Sequence, residues 1–366
     1  MKRIPYVNLA AQWDDESAEL LPLVEQALAS GAYVGGESIE RFESAVAEYC
    51  GTRFAIALNS GTDALVCALH ALGIGKGDEV ITAPNSFIAS AAAIIHVGAT
   101  PVFVDVKPDQ NLDPNIIEAA LTKKARAIMP IHLTGRVADM DAINDIAARK
   151  NLYVIEDAAQ AIGSMWRGAK SGSLGNIGCF SAHPLKNLNA CGDAGFVTTD
   201  DRSVALKIQR MRNHGMADRN NVEAFGMVSR MDALQATILN FRLSRLPKVI
   251  EARRKNAALY LSRLNPDCVF APPEQESEFN TYHTFVVQVD GRDDLRRELL
   301  ARGIETAVHY PVPIHLQPAG HVLPYRAGDF PETEKQAKRI LTLPVNQYLQ
   351  KTDIGYVADS LNNLLG

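Results

Sequence analysis

The chain has 366 residues and a formal net charge of −5, enough for a large domain with a smaller one beside it and too long for one small core. Acidic and basic residues are mixed, so no basic stripe points to nucleic acid; no run reaches the roughly 20 apolar residues of a membrane helix; and MKRIPYVNLA lacks the apolar stretch of a signal peptide. The five cysteines (Cys50, Cys67, Cys179, Cys191 and Cys268) are scattered without a CxxC pair, which fits a reducing cytoplasm rather than a disulfide framework or a zinc site.

Residues 20–30 and 36–50 read as amphipathic helices, the second with Ile39, Phe42, Val46 and Tyr49 at helical spacing. From Phe54 the texture changes to a short apolar run, a Ser-Gly-Thr turn and a helical run. The same alternation then repeats: EVITAP before SFIASAAAIIHVG, TPVFVDV before PNIIEAALTKK, ARAIMPIHL before MDAINDIAARKN, then LYVIEDAA. Strands alternating with helices at this spacing predict an α/β fold with a mostly parallel sheet flanked by helices, and continuous apolar runs are what strands buried on both faces carry. Residues 204–213 read as a charged helix, and 230–246 and 247–264 as two more. Beyond Pro272 a small unit follows, with HTFVVQV as a strand, RDDLRRELLARG as a helix and IETAVHYPVP as a second strand. The expected division is residues 1–245, N-terminal segment included, and a smaller domain over 246–366.

Four features lie at strand ends. Ser60-Gly61-Thr62 opens a helix, where unpaired N–H groups and the positive end of the dipole bind phosphate; it also reads as a plain N-cap. Asp157 follows an apolar strand, at the edge where ligands bind in open α/β sheets; it would pair with a protonated ring nitrogen or cap the next helix. Gln160, three residues on, is in reach of a ring substituent. Phe87 in NSFIAS is placed either to stack on a flat ring or to fill the core. In FSAHPLKNLNACGDAG, Ser181 and Lys186 flank a turn. A lysine there is a solvated charge unless burial lowers its pKa enough for Schiff-base chemistry. Together the four supply what pyridoxal 5′-phosphate needs: a phosphate anchor, an acid for the pyridinium, a stacking ring and a lysine for the aldehyde.

These stretches, with GAYVGG, NSGTDAL, GATPVFVDV, VIEDAAQAIGS, RNHG, SRMDALQA and HYPVPIHLQPA, run in order through nearly the whole chain. In them the sequence resembles the nucleotide-sugar aminotransferases of fold-type-I pyridoxal phosphate enzymes, the DegT/DnrJ/EryC1/StrS group. The resemblance implies an aspartate aminotransferase-like large domain and a smaller C-terminal α+β domain. It implies that Lys186 forms the Schiff base with the cofactor and moves the proton in the transamination, that Asp157 pairs with the pyridinium and Gln160 with the ring hydroxyl. Gly61, Thr62 and Ser181 would hold the phosphate and Phe87 would stack on the ring. It further implies a homodimer with shared active sites, the loop around Arg230 reaching the neighbour's substrate, and His309 and Tyr310 lining the substrate pocket. Glutamate is the implied amino donor. The acceptor is a nucleotide-linked keto sugar, a 3-keto sugar by the HYPVPIH segment, with 4-keto sugars and aminocyclitols as alternatives. The product would serve amino-sugar biosynthesis, such as that of a lipopolysaccharide.

Three positions depart from the family pattern. Val228 stands where an asparagine reaches the partner's cofactor phosphate, and valine donates no hydrogen bond. Ala194 replaces a glycine and Thr134 a tyrosine. Relatives that act as dehydratases carry histidine at the lysine position, which Lys186 argues against. A non-catalytic regulator is expected to lose catalytic residues that are intact here, and a dehydrogenase would need the G-x-G-x-x-G that no strand precedes. His70, His96 and His132 show no metal-ligand spacing, and His214 reads as structural. Tyr33 is open to packing or substrate contact, and Arg253, Arg254 and Lys255 read as a solvated helix face.

Overall fold

The structure, a computed structural model, describes residues 2–366. It opens with helices α1 (Leu9–Ala29) and α2 (Glu37–Cys50). α1 begins well before the expected Leu20, because the Asn8 side chain accepts a hydrogen bond from Ala11 N at 3.1 Å and caps a helix there. The alternation follows: β1 (Phe54–Leu58), α3 (Gly61–Ala71), β2 (Glu79–Thr82), α4 (Ala89–His96), β3 (Thr100–Phe103), β4 (Ala125–Ile128), α5 (Met140–Lys150), β5 (Tyr153–Asp157), β6 (Ile177–Ser181) and β7 (Gly195–Thr199).

These strands form a seven-stranded sheet in the order β1-β7-β6-β5-β4-β2-β3. β7 runs antiparallel to both of its neighbours and all other pairs are parallel. Both faces are covered, as the apolar runs demand. On one face Ile56, Leu58 and Val197 pack against α3, α4 and helix α6 (Arg202–Met211). On the other, Ala55, Ala57, Phe180 and Phe196 pack against α2 and a long helix, α7 (Ala233–Leu261). There the Phe180 and Phe196 rings stack with centroids 4.6 Å apart, and Phe42 meets Phe196 edge-on.

α7 corrects the expectation of two helices meeting at Pro247. It is one helix of 29 residues that contains Pro247. Proline removes one backbone donor, and packing on both sides of it outweighs that loss: Leu239, Leu243, Leu246 and Ile250 sit in the core under the sheet, Ala257 and Tyr260 in a second core. The division expected at residue 245 therefore falls inside a continuous helix.

The second core belongs to the C-terminal unit of β8 (Phe285–Gln288), α8 (Arg292–Ala301), α9 (Pro331–Arg339), β9 (Ile340–Leu343) and α10 (Lys351–Leu365). β8 pairs antiparallel with β9, and the segment 304–313, expected to be a strand, forms none. Pro311 and Pro313 bar that segment from a ladder, and it contributes two isolated bridges, Ile304 to Ile4 and Ala307 to Thr342. Ile4 joins the C-terminal core and bridges to Ile304. Among the described residues no helix is long and apolar enough to cross a membrane.

Candidate active site

The parallel strands end at one edge of the sheet, and a cavity of about 430 Å³ opens there. β1 runs into Ser60, whose Oγ accepts from Asp63 N at 3.1 Å and caps α3. The cap reading of this turn is thus correct, and it leaves the first N–H groups of α3 at the cavity, with Gly61 and Thr62 on its wall. Packing here is extreme. A Cβ on Gly61 would lie 2.6 Å from Ser181 Cβ, and one on Gly195 2.3 Å from Ser60 C and O. The end of β1, the end of β6 and the start of β7 therefore meet at a distance only glycine permits. The result is a cup of backbone donors beside the Ser181 hydroxyl, of the kind that binds a phosphate.

Asp157 ends β5 at the same edge. It is buried, accepting hydrogen bonds from Ser90 Oγ at 2.6 Å and from Ala159 N at 3.2 Å. Burial pushes its pKa up, against the pull of the Ser90 bond, and no cationic side chain pairs with it among the described residues. A buried carboxylate with only neutral donors is suited to a cationic ring nitrogen. Glu156 next to it faces other groups: Gly172 N, Leu174 N, Gly175 N and His132 Nε2 all lie within 3.0 Å of its oxygens. His132 Nδ1 accepts from Ala138 N, which fixes the tautomer and makes this histidine a structural one.

Lys186 lies in the turn after β6, its backbone N–H bonded to His183 O at 2.8 Å. Its side chain lines the cavity, and burial lowers its pKa to about 8 despite the opposing attraction of Asp157. It is not the solvated charge that a lysine in a loop suggests. Gln160 lines the cavity too, with Oε1 accepting from Thr134 N at 2.8 Å and Nε2 donating to Tyr310 OH at 3.3 Å. Phe87 is no core residue: it is 56% exposed, and its ring centroid lies 5.9 Å from that of Tyr310. His309 and Tyr310 form part of the opposite wall. Burial pulls His309 down to about 4 and pushes Tyr310 up to about 12, so both are neutral near pH 7.

Of the expected site residues, only Arg230 lies away from this chain's cavity; its Nη1 donates to Asn213 Oδ1 at 3.0 Å. Val228 is half-exposed beside it and bridges to Asn213. The reading of residues 253–255 as a solvated face is corrected. Arg253 is buried at the cavity wall, and Arg254 sits 4.0 Å over the Phe279 ring with Glu274 at 2.7 Å. Lys255 alone is exposed, paired with Glu251. α7 turns Arg253 inward because that face packs on the C-terminal unit, which a basic triplet does not announce. The cavity also has Ser90, Tyr6 and His283 on its wall. Ser90 had a signal, lying three residues after Phe87 on the first turn of a helix; Tyr6 and His283 come from distant segments and had none.

The cup, the buried acid and the lysine fit pyridoxal 5′-phosphate on geometry. The comparisons agree. The family model for DegT/DnrJ/EryC1/StrS aminotransferases matches residues 14–362. The chain is 40% identical over 363 residues to the dTDP-3-amino-3,4,6-trideoxy-α-D-glucose transaminase of Streptomyces venezuelae, covering 98% of this chain and 95% of that one. Its fold superposes with a TM-score of 0.98 on S. venezuelae DesV, crystallised with a ketimine intermediate, at 39% identity over 100% of this chain and 99% of that one. It superposes with a TM-score of 0.92 on NtdA of Bacillus subtilis with bound cofactor PMP, the amine form of pyridoxal phosphate, at 33% identity over 100% and 86% of the two chains. The chain belongs to the DegT/DnrJ/EryC1/StrS aminotransferase family, and it is an aminotransferase that works with pyridoxal 5′-phosphate.

Proposed function

We propose that this chain moves an amino group from glutamate to the 3-keto group of a nucleotide-linked sugar. The observation that carries the reading is the meeting in one cavity of a lysine with depressed pKa and a buried aspartate that forms no ion pair among the described residues. Gly61, Thr62 and Ser181 hold the cofactor phosphate, Asp157 its ring nitrogen, Gln160 its ring hydroxyl, and Phe87 lies against its face. The cofactor supplies an aldehyde to condense with the amine and a ring that takes up the electron pair when the Cα–H bond breaks. Asp157, ionised against the ring nitrogen, keeps that ring cationic. Lys186 Nζ, whose pKa burial lowers to about 8 so that a fraction of it is unprotonated near neutral pH, would take the proton from the donor Cα and hold it for return in the transamination. His309 and Tyr310 present neutral donors to the sugar. The 3-keto assignment is supported by the HYPVPIH segment and by the 3-amino product named for the Streptomyces relative.

We place the reaction in the cytoplasm, which the five free cysteines support, and we keep the division into a cofactor-binding unit, residues 1–245, and a smaller unit, 246–366. A panel of nucleotide-linked keto sugars offered with glutamate, read by product mass, tests the function. Amination of 3-keto sugars is expected; amination of 4-keto sugars alone overturns the 3-keto assignment, and no turnover with any sugar overturns the function.

We also propose a homodimer whose sites are completed from the partner. Arg230 points away from its own cavity, and a run of apolar side chains (Leu9, Trp13, Leu21, Tyr33, Val34) is exposed on the single chain. Lys186→Ala and Arg230→Ala are each expected to be inactive, and mixing the two to restore up to about a quarter of the activity, since one site in a mixed dimer then has both residues. No recovery on mixing rules out sharing through Arg230.

A further inference from the structure

Among the described residues the other buried arginines are ion-paired: Arg136 with Glu278 at 2.6 Å and Arg292 with Asp293 at 2.6 Å. Arg253 is not. It is only 9% exposed, and no carboxylate lies within ion-pair distance of it among the described residues. Its Nη1 is spent on the carbonyls of Tyr282 and His283, at 3.3 and 3.0 Å. Nε is buried with no partner, and Nη2 makes no hydrogen bond. Burial pulls its pKa down to about 10, which leaves it charged at neutral pH. A buried guanidinium without an anion is costly, and this one faces the active-site cavity.

Two neutral donors share that wall. The Tyr6 hydroxyl lies close enough to Arg253 to feel its charge, keeps its proton because burial raises its pKa, and makes no hydrogen bond. His283 lies close enough to Lys186 and Arg253 to feel both charges, is held neutral by burial and by both cations, and its buried Nδ1 has no hydrogen-bond partner. Among the described residues the only acids on the cavity wall are Asp157, reserved for the ring nitrogen, and Asp193, exposed at the rim. The cup across the cavity already serves the phosphate. One cation and two donors are left over, beside the reacting lysine.

We propose that Arg253, with Tyr6 and His283, is a carboxylate site that seats the α-carboxylate of the amino donor. The proposal rests on the aminotransferase reading above. Position favours the donor over the nucleotide: an α-carboxylate is bonded to the same carbon as the amine that meets Lys186, whereas the diphosphate of a nucleotide sugar is several bonds from the keto carbon. A carboxylate on the sugar, as in a uronate, is the other source of the same chemistry, and the two half-reactions separate them.

The test uses the holoenzyme and Arg253→Met. In the first half-reaction, the glutamate concentration that half-bleaches the visible band of the bound cofactor is expected to rise about tenfold to a hundredfold, as the loss of a charge-assisted pair implies. The return half-reaction with a nucleotide-linked keto sugar that carries no carboxylate is expected to keep its KM. Glutarate, a dicarboxylate with no amine to react, is expected to bind more weakly by calorimetry by a similar factor. Arg253→Lys, which keeps the charge and can still reach the carbonyls, is expected to fall in between, and it decides the matter if the methionine variant does not fold. Unchanged glutamate and glutarate affinities overturn the proposal, and a defect confined to a uronate-sugar half-reaction assigns the site to the acceptor instead. If the wild type is not bleached by glutamate, the aminotransferase reading fails first, and glutarate binding still decides whether Arg253 holds a carboxylate.

Discussion

On the sheet side of the cavity, Gly61, Ser181 and Gly195 bring three backbone segments closer together than any side chain allows. On the opposite side, Tyr6, Arg253, His283, His309 and Tyr310 reach the same space as side chains from an N-terminal strip, a long helix and the C-terminal unit. The first wall is rigid because its atoms are covalently short of alternatives. The second is held by burial and a few hydrogen bonds, such as Gln160 to Tyr310 and His309 Nδ1 to Thr342 Oγ1 at 3.0 Å. A backbone wall suits a group that every turnover shares, and a side-chain wall suits one that must come and go. The comparison teaches where tolerance to substitution lies.

Breaking the first wall is expected to cost most. In Gly195→Ala the new methyl meets backbone atoms of Ser60 at 2.3 Å, and backbone cannot rotate away as a side chain would. Overpacking at a position this closed costs about 3 kcal/mol or more, and cofactor affinity falls with the displaced cup; thermal melting with and without added pyridoxal phosphate measures both. A variant as stable and as tightly loaded as the wild type removes the claim that the cup is closed by glycine.

The second wall shows itself in acid. His309 has a folded pKa near 4 against an ordinary value of 6.5. Between those values the unfolded chain takes a proton that the folded chain refuses. This contribution to stability is therefore complete above pH 6.5 and is lost as pH falls toward 4. It amounts to about 2 kcal/mol once partial exposure is discounted. His309→Gln is expected to flatten the urea-unfolding stability of the cofactor-free protein across that window. An unchanged slope places the effect elsewhere. Smaller still is Tyr310→Phe, which removes one hydrogen bond of 3.3 Å from Gln160 and is expected to lower stability by about 1 kcal/mol. A loss above about 3 kcal/mol would mean that the side-chain wall is as intolerant as the backbone one.

The difference between the walls is also a difference in what the sequence discloses. Ser60, Gly61, Thr62, Phe87, Asp157, Ser181 and Lys186 each follow the end of an apolar run, and strand ends in a parallel sheet converge on one edge. Their meeting follows from local pattern. Arg253 was hidden because helical periodicity reads an Arg-Arg-Lys triplet as a solvent face, and only the tertiary position of α7 turns one of the three inward. Tyr6 is brought in by a contact with Glu305, 299 residues along the chain, and His283 by a segment that meets Arg253 of α7. The misreading of segment 304–313 as a strand has the same origin: the pairing partner of β8 is Ile340–Leu343, which no nearby turn could indicate.

α7 passes unbroken from the core beneath the sheet to the core of the C-terminal unit. At 1.5 Å per residue it is a strut of about 44 Å, and it carries Arg253 on its way. Two halves joined by a strut cannot shut on a ligand like a clamshell swinging on a loose loop. The one point on it without a backbone N–H is Pro247, flanked by Leu246 and Ile250 of the core under the sheet and less than two turns ahead of Arg253. A change in the angle of this helix would be a change in how far Arg253 reaches into the cavity that Lys186 also lines.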